Sequence, residues 1–118
     1  MCDIGAVIKK LYLATRQVRE FIATQPPGIQ AEYVKLVERI EADGYLIEPF
    51  GKKLNQNLFE MRLRRGRQVR VVYFYHTGNR VIGVHAFIKK TQQTPARELA
   101  QAWRIKRRIE NDNCDEEG

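Results

Sequence analysis

One acidic and two basic residues fall at every second position in the segment FEMRLR, from Phe59 to Arg64. Alternate residues of a β-strand point to the same face, so Glu60, Arg62 and Arg64 share one side of such a strand. The planar forks of arginine side chains match the oxygens of a phosphate group. This face is therefore a candidate site for binding nucleic acid.

Two neighbouring segments bring more cations to the same face. Arg70 lies in the next β-rich segment, and Lys89 ends the one after it. Antiparallel sheets often leave one face open to solvent, and we expect Arg62, Arg70 and Lys89 to converge on that face, with His85 nearby. This orientation of the third strand places three of its apolar residues in the core: Val84, Ala86 and Ile88.

Such a cluster has the properties that RNA cleavage requires. Preorganised cations stabilise the charge that develops on the phosphate, and a lysine crowded by other cations has a lowered pKa that suits it to act as a general base. Three aromatic residues are candidates to stack on an unpaired base: Tyr73, Tyr75 and Phe87. The sequence offers no cluster of metal ligands, and no metal or other cofactor is expected.

Less specific interpretations stay open for several of these residues. Glu60 and Arg62 could form an ordinary surface ion pair, which contributes little energy. His85 could be a partly buried, hydrogen-bonded residue of its strand rather than a base. The basic run from Arg104 to Arg108 could be a solvated helix face as readily as a contact with RNA.

The distribution of charge supports a phosphate-binding surface. Residues 52–108 hold fifteen Lys or Arg against two Asp or Glu, a net charge of +13, whereas the whole chain has +7. Residues 1–51 have a net charge of −1 and residues 109–118 of −5. A segment that repels itself so strongly is typical of proteins that bind nucleic acid.

The 118 residues are 43% hydrophobic and 30% charged, which indicates one soluble globular domain. We assign residues 1–110 to this domain and residues 111–118 to an acidic, disordered tail. The chain has no apolar run long enough for a membrane span and no signal peptide, so a cytoplasmic location is expected. Cys2 and Cys114 have neither metal-ligand spacing nor a disulfide framework.

The periodicity predicts an α+β domain in the order β-α-α-β-β-β-α, with a small, mainly antiparallel sheet. A short first strand is predicted over Gly5–Ala14. Thr15 is the predicted N-cap of a helix that ends near Thr24, and Gly44 the predicted end of a second helix. These two helices form a hairpin on one face of the sheet. Thr94 and Pro95 open a C-terminal helix.

The other predicted elements are three strands joined by short turns. The first contains Phe59 to Leu63, the second runs from Val69 to Tyr75, and the third from Val81 to Lys89. Connections this short make the three strands an antiparallel meander.

Four motifs resemble those of the phage-derived, HigB-like branch of the RelE toxin superfamily. They are GKKL from Gly51 to Leu54, LFEMR from Leu58 to Arg62, RVVYF from Arg70 to Phe74, and FIKKTQQTP from Phe87 to Pro95. The last of these is the most specific. The resemblance covers residues 28–108, and residues 1–27 match only in the order of elements.

The resemblance implies a bacterial type II toxin, a metal-independent endoribonuclease that cuts mRNA on the ribosome and inhibits translation. It also implies a cognate antitoxin with a helix-turn-helix domain. Catalytic roles would fall on the matched residues Lys53, Glu60, Arg62, Arg70, Lys89 and Lys90. Further contacts with RNA are expected from Lys52, Arg64, His85, Phe87, Arg104 and Arg107.

The sequence departs from the family pattern near its C-terminus. Family members often use a tyrosine or histidine there, but Trp103 is the sole aromatic residue after Pro95. The general acid and base therefore stay open among Lys89, Lys90 and His85. A non-catalytic RNA- or DNA-binding module is the alternative function, and a scaffold that binds an acidic partner is a third.

Overall fold

A computed structural model describes the backbone of residues 9–117 and the side chains of residues 9–112. Residues 5–8 of the predicted first strand lie outside the described residues, as do Cys2 and the side chains of residues 113–118, which include Cys114. The described chain has the predicted α+β architecture, with one strand more than the sequence suggested.

In residues 9–117, five strands form a single sheet in the order β1-β5-β4-β3-β2, and among them only the β1–β5 pair is parallel. The strands are β1 (Leu11–Ala14), β2 (Gly51–Lys53), β3 (Phe59–Leu63), β4 (Val69–His76) and β5 (Arg80–Ile88). The helices are α1 (Arg16–Ala23), α2 (Pro27–Asp43) and α3 (Ala96–Glu117). The predicted meander is thus confirmed, and β2 adds an edge strand that sequence periodicity did not indicate.

Local signals in the sequence set the ends of the helical hairpin. The hydroxyl of Thr15 accepts a hydrogen bond from the backbone N–H of Val18, as an N-cap does. Gly44 ends α2 with φ of 90°, a left-handed conformation that glycine adopts without a steric penalty. Both predictions are therefore confirmed. The hairpin buries one apolar side against the sheet, including Val18, Ile29 and Ile40.

The opposite face of the sheet is covered along part of its length by α3. Leu99 and Trp103 of this helix pack on a second core cluster that includes Leu58, Val72 and Phe74. The expectation of an open face is therefore wrong at this end of the sheet, because the apolar side of α3 needs a surface on which to be buried. The face stays accessible near the start of β4.

An irregularity in β5 changes which of its residues face the hairpin. Val72 pairs with His85 but Tyr73 pairs with Gly83, so Val84 has no partner of its own on β4. A bulge of this kind breaks the alternation of side chains. Val84 consequently packs under α3 and Ala86 under the hairpin.

The prediction that Val84, Ala86 and Ile88 share one core face is therefore wrong, and Ile88 is 36% exposed. The bulge leaves the end of β5 unaffected, and His85 and Phe87 face the same side as Arg70.

Helix α3 extends to Glu117 and thus includes most of the segment predicted as a disordered tail. The division of the chain at residue 110 stays a prediction. None of the described helices combines the length and apolar character needed to cross a membrane.

Candidate functional site

Strand register brings the predicted cations together. Arg62 of β3 lies directly opposite Arg70 of β4, and Glu60 lies opposite both Val72 of β4 and Lys52 of β2. Paired residues on adjacent strands point to the same face. Two guanidinium groups are thereby held side by side next to a single carboxylate.

Glu60 is the centre of this arrangement. Its side chain has no exposed surface, and its Oε1 lies 3.4 Å from Nε of Arg62 and 3.7 Å from Nε of Arg70. Its Oε2 accepts a hydrogen bond of 2.6 Å from the hydroxyl of Thr94. A buried carboxylate is tolerated when it is paired and hydrogen-bonded in this way. Because no part of Glu60 is exposed, its position suits it to hold the arginines rather than to touch a substrate.

Arg70 is almost completely buried, at 6% exposure. Its guanidinium donates 3.2 Å and 3.0 Å hydrogen bonds to the Val69 carbonyl and to Oε1 of Gln68. Burial lowers the pKa of Arg70, and the nearby Glu60 carboxylate counteracts part of that effect. Arg62 is more accessible, with 20% of its side chain exposed. Of the two, Arg62 is better placed to contact a ligand.

Glu60, Arg62 and Arg70 form the cluster around Glu60. Lys89 lies at the edge of this cluster, just after β5. Partial burial is the main cause that lowers its pKa, and Arg70 and Arg62 lower it further, while Glu60 raises it. Lys89 and Arg70 line a shallow groove of about 530 Å³. The other groove residues are Gln68, Lys90, Thr91 and Gln92. This groove is one accessible part of the face and the candidate site for a phosphate, and Arg62 is not among its lining residues.

The two adjacent lysines of β2 point in opposite directions. Lys52 pairs with Glu60 and so faces the cluster, whereas Lys53 pairs with Phe59 on the hairpin side. The Nζ atom of Lys53 lies 5.9 Å from the centre of the Phe59 ring. The structure therefore places Lys52, rather than Lys53, next to the arginines.

His85 matches the interpretation of a partly buried, hydrogen-bonded strand residue, whereas the aromatic residues are more enclosed than the sequence suggested. His85 is 12% exposed, and its Nε2 lies 2.6 Å from Oε1 of Glu98 in α3. Phe87 is 5% exposed and stacks on the His85 ring. Tyr73 lies on the other face, in the core beneath the helical hairpin, and the partly buried Tyr75 packs against that core. Burial leaves Tyr73 and Phe87 little surface on which a base could stack.

The remaining predicted contacts lie around the cluster rather than in it. Arg64 is exposed just beyond β3, and its positive charge lowers the pKa of Arg70. Arg104 and Arg107 are exposed on α3, where Arg107 lies 4.9 Å from the Trp103 ring and Arg104 donates to Gln101.

Sequence reasoning missed the part that Thr94 plays in the site. Its position before Pro95 indicated a helix cap, whereas its hydroxyl donates to Glu60. Its place in the FIKKTQQTP motif was the available signal. Gln68 was also missed, since nothing in the sequence showed that it would bond to Arg70.

Within the part of the chain that the structure describes, no three His, Cys, Asp or Glu side chains are grouped closely enough to hold a metal ion. The expectation that the protein needs no metal stays a prediction. The described cluster offers cationic groups of fixed geometry and a lysine whose pKa is lowered. Such groups can bind a phosphodiester, stabilise added negative charge on it and accept a proton.

A family model described as "Phage derived protein Gp49-like (DUF891)" matches residues 20–107. A search of the curated proteins finds no match. The family match spans every strand from β2 to β5 and thus the whole cluster around Glu60.

Three solved structures that share the fold are a toxin and two toxin–antitoxin complexes. A mutant of the Escherichia coli toxin RelE in the free state has a TM-score of 0.59 at 13% identity, covering 86% of this chain and 98% of that one. The toxin–antitoxin complex RelBE2 from Mycobacterium tuberculosis has a TM-score of 0.52 at 19% identity, covering 71% of this chain and 95% of that one. The intact E. coli RelBE complex has a TM-score of 0.56 at 13% identity, covering 70% of this chain and 99% of that one. The predicted resemblance to RelE-like toxins is thus confirmed for the fold.

Proposed function

Because the chain belongs to the family of phage-derived Gp49-like proteins, and because its fold is that of RelE-like toxins, we propose that it is the toxin of a type II toxin–antitoxin system. Its activity is metal-independent endonucleolytic cleavage of mRNA on the ribosome, which inhibits translation. The observation that carries this proposal is the buried Glu60, which holds Arg62 and Arg70 side by side next to the Lys89 groove.

In the proposed reaction, the 2′-oxygen of a ribose attacks the adjacent phosphorus and the bond to the 5′-oxygen breaks. The products are a 2′,3′-cyclic phosphate and a 5′-hydroxyl. Lys89 in its neutral form accepts the proton of the 2′-hydroxyl, since its pKa is lowered. Lys90, which lines the same groove, returns a proton to the leaving 5′-oxygen.

Arginine charge stabilises the reaction's intermediate. In this proposal Arg62 and Arg70 stabilise the negative charge that accumulates on the phosphate as the 2′-oxygen adds. Glu60 acts as a positioning residue, because it fixes both guanidinium groups without being exposed itself. Lys53 is not part of this mechanism, since it lies on the other face of the sheet.

The remaining cations suit attachment to a large RNA. Lys52, Arg64, Arg104 and Arg107 are exposed at several places on the segment of net charge +13. Their role in this proposal is to bind ribosomal RNA through phosphate contacts. The proposed partner in the cytoplasm is an antitoxin with a helix-turn-helix domain, which neutralises the toxin.

Expression of this protein without an antitoxin is expected to arrest bacterial growth within a few generations. The Arg62→Ala variant should restore growth, because it removes the more accessible of the two arginines that Glu60 holds. Growth curves and incorporation of labelled amino acids measure the effect. The matched control is Arg39→Ala, which removes an exposed arginine of α2 and should remain toxic. Normal translation at confirmed soluble expression of the unaltered protein would refute the proposed function.

The rate of cleavage should rise with pH through the alkaline range if Lys89 accepts the proton. Because its pKa is lowered from 10.5, the neutral form increases about tenfold per pH unit up to that lowered pKa, and the rate should then level off. Single-turnover cleavage measured between pH 6 and 10 gives the profile. The Lys89→Met variant should lose this rise, and a variant that kept the full profile would exclude Lys89 as the base.

A further inference from the structure

The outer edge of β5 is only partly covered by another strand. Its pairing with β1 ends where Ala14 lies opposite Gly83, yet β5 continues to Ile88. Among the described strands, none lies beside the stretch from Val84 to Ile88 on this side. Unpaired N–H and C=O groups at such an edge are a template for pairing with another chain.

A side chain occupies part of this edge in place of a strand. The amide of Gln17, in the first turn of α1, donates from Nε2 to the Ala86 carbonyl and accepts from the Ala86 N–H, with both bonds at 2.9 Å. Thr15 adds a 3.3 Å bond from its hydroxyl to the Val84 carbonyl. A glutamine amide presents one acceptor and N–H donors, as a peptide group does. An incoming backbone can therefore replace it without leaving Ala86 unpaired.

A groove of about 550 Å³ runs along the same edge. One side is formed by Gln17 and Phe21 of α1, and the other includes Pro95 and Arg97. Ile88, which is 36% exposed, provides apolar surface in it.

The charged rim of this groove is mainly basic. Lys90 and Arg97 line it and are both exposed. Glu98 is its one acidic lining residue, and its carboxylate is already bonded to His85 at 2.6 Å. A segment with acidic side chains would therefore meet complementary charge.

We propose that an extended, acidic segment of a partner polypeptide adds to the β5 edge as a strand and displaces the amide of Gln17. Main-chain hydrogen bonds to Ala86 and Ile88 provide affinity, and the basic rim selects for acidic side chains. The partner is the antitoxin, an identification that rests on the proposed function. Lys90 and Thr91 line both this groove and the one that contains Arg70, so a segment that continues past them covers the phosphate site.

A synthetic peptide of alternating Glu and Val residues, seven residues long with both ends blocked, is the probe. Its binding is measured by isothermal calorimetry at 150 mM salt, and amide exchange is followed at Ala86 and Ile88 by NMR. The same peptide with every backbone nitrogen methylated keeps the charge but lacks the donors, and we expect it to bind at least about tenfold more weakly. Binding of the unmethylated peptide should slow exchange of the Ile88 amide.

Two protein variants test the geometry. Gln17→Ala removes the internal competitor and should tighten binding at least about fivefold, because two hydrogen bonds no longer have to be broken. Arg97→Glu should weaken binding by a similar factor. Thermal melting confirms that both variants are folded.

Equal binding of the methylated peptide, or weaker binding to Gln17→Ala, would overturn the inference. Chemical-shift changes confined to Arg62 and Lys89 would also overturn it, since they would show that the peptide is merely an anion at the phosphate site. The experiment contains no RNA, so its outcome is independent of cleavage activity. Binding of the peptide at the β5 edge by a protein that does not cleave RNA would support this inference and refute the proposed function.

Discussion

Replacement of Arg62 by alanine is expected to lower the rate of RNA cleavage by about 100- to 1,000-fold, the effect of removing one preorganised donor to developing charge. Among the described residues, Arg62 bonds to Glu60 through Nε alone, at 3.4 Å. Its two Nη groups are thus available to form a fork on phosphate oxygens. Arg70 is less able to contact the phosphate directly, because it is almost completely buried and each of its Nη groups already donates one hydrogen bond, to the Val69 carbonyl and to Gln68.

Two variants make this prediction specific. Arg62→Lys keeps the charge but not the planar fork, so we expect an intermediate rate. Arg39→Ala removes an exposed arginine and should stay within about twofold of the original rate, because that residue lies on α2 and pairs with Asp43. Single-turnover cleavage of ribosome-bound mRNA measures all three. An Arg62→Ala protein that melts normally and cleaves at the original rate would remove Arg62 from the mechanism.

Replacement of Glu60 by alanine should destabilise the fold by about 3–5 kcal/mol, the range observed when one partner of a buried ion pair is removed. Without this carboxylate, Arg62 and Arg70 face each other on adjacent strands with no anion between them. Thr94 also loses the acceptor of its hydroxyl. Chemical denaturation monitored by circular dichroism gives the free energy of unfolding.

The salt dependence of stability and a control variant at a surface ion pair distinguish the destabilisation of Glu60→Ala from the loss of an ordinary exposed ion pair. High salt should recover little of the stability of Glu60→Ala, because the two arginines are largely buried and salt screens buried charges much less than exposed ones. Glu20→Ala breaks the exposed pair with Arg16 and should change the free energy of unfolding by less than about 1 kcal/mol. A Glu60→Ala protein as stable as the original would contradict the central position given to this carboxylate.

Local signals were sufficient to predict most of the fold. The Thr15 cap, the Gly44 terminus and the alternation in β3 depend on residues close in sequence, and each is found where it was predicted. Strand β2 was missed because Gly51 to Lys53 contains no residue that favours β-structure by itself. Its pairing with β3 creates it, and that pairing also decides that Lys52 faces the cluster.

The sequence predicted which residues form the site but not how far each of them is buried. Alternation correctly placed Glu60, Arg62 and Arg70 on one face. It could not show that Glu60 is fully buried, because that burial depends on the segment that brings Thr94 across the sheet. The bulge at Val84 was also hidden, since a bulge becomes visible only in the pairing of two strands.

Primer extension on mRNA bound to ribosomes tests the proposed endoribonuclease most directly. The purified protein should produce discrete cleavage ends on ribosome-bound mRNA, with 2′,3′-cyclic phosphate termini, and Arg62→Ala should produce almost none. Protein that is folded and binds ribosomes but leaves the mRNA intact would contradict the account. The cluster around Glu60 would then be a binding surface for RNA without catalytic activity.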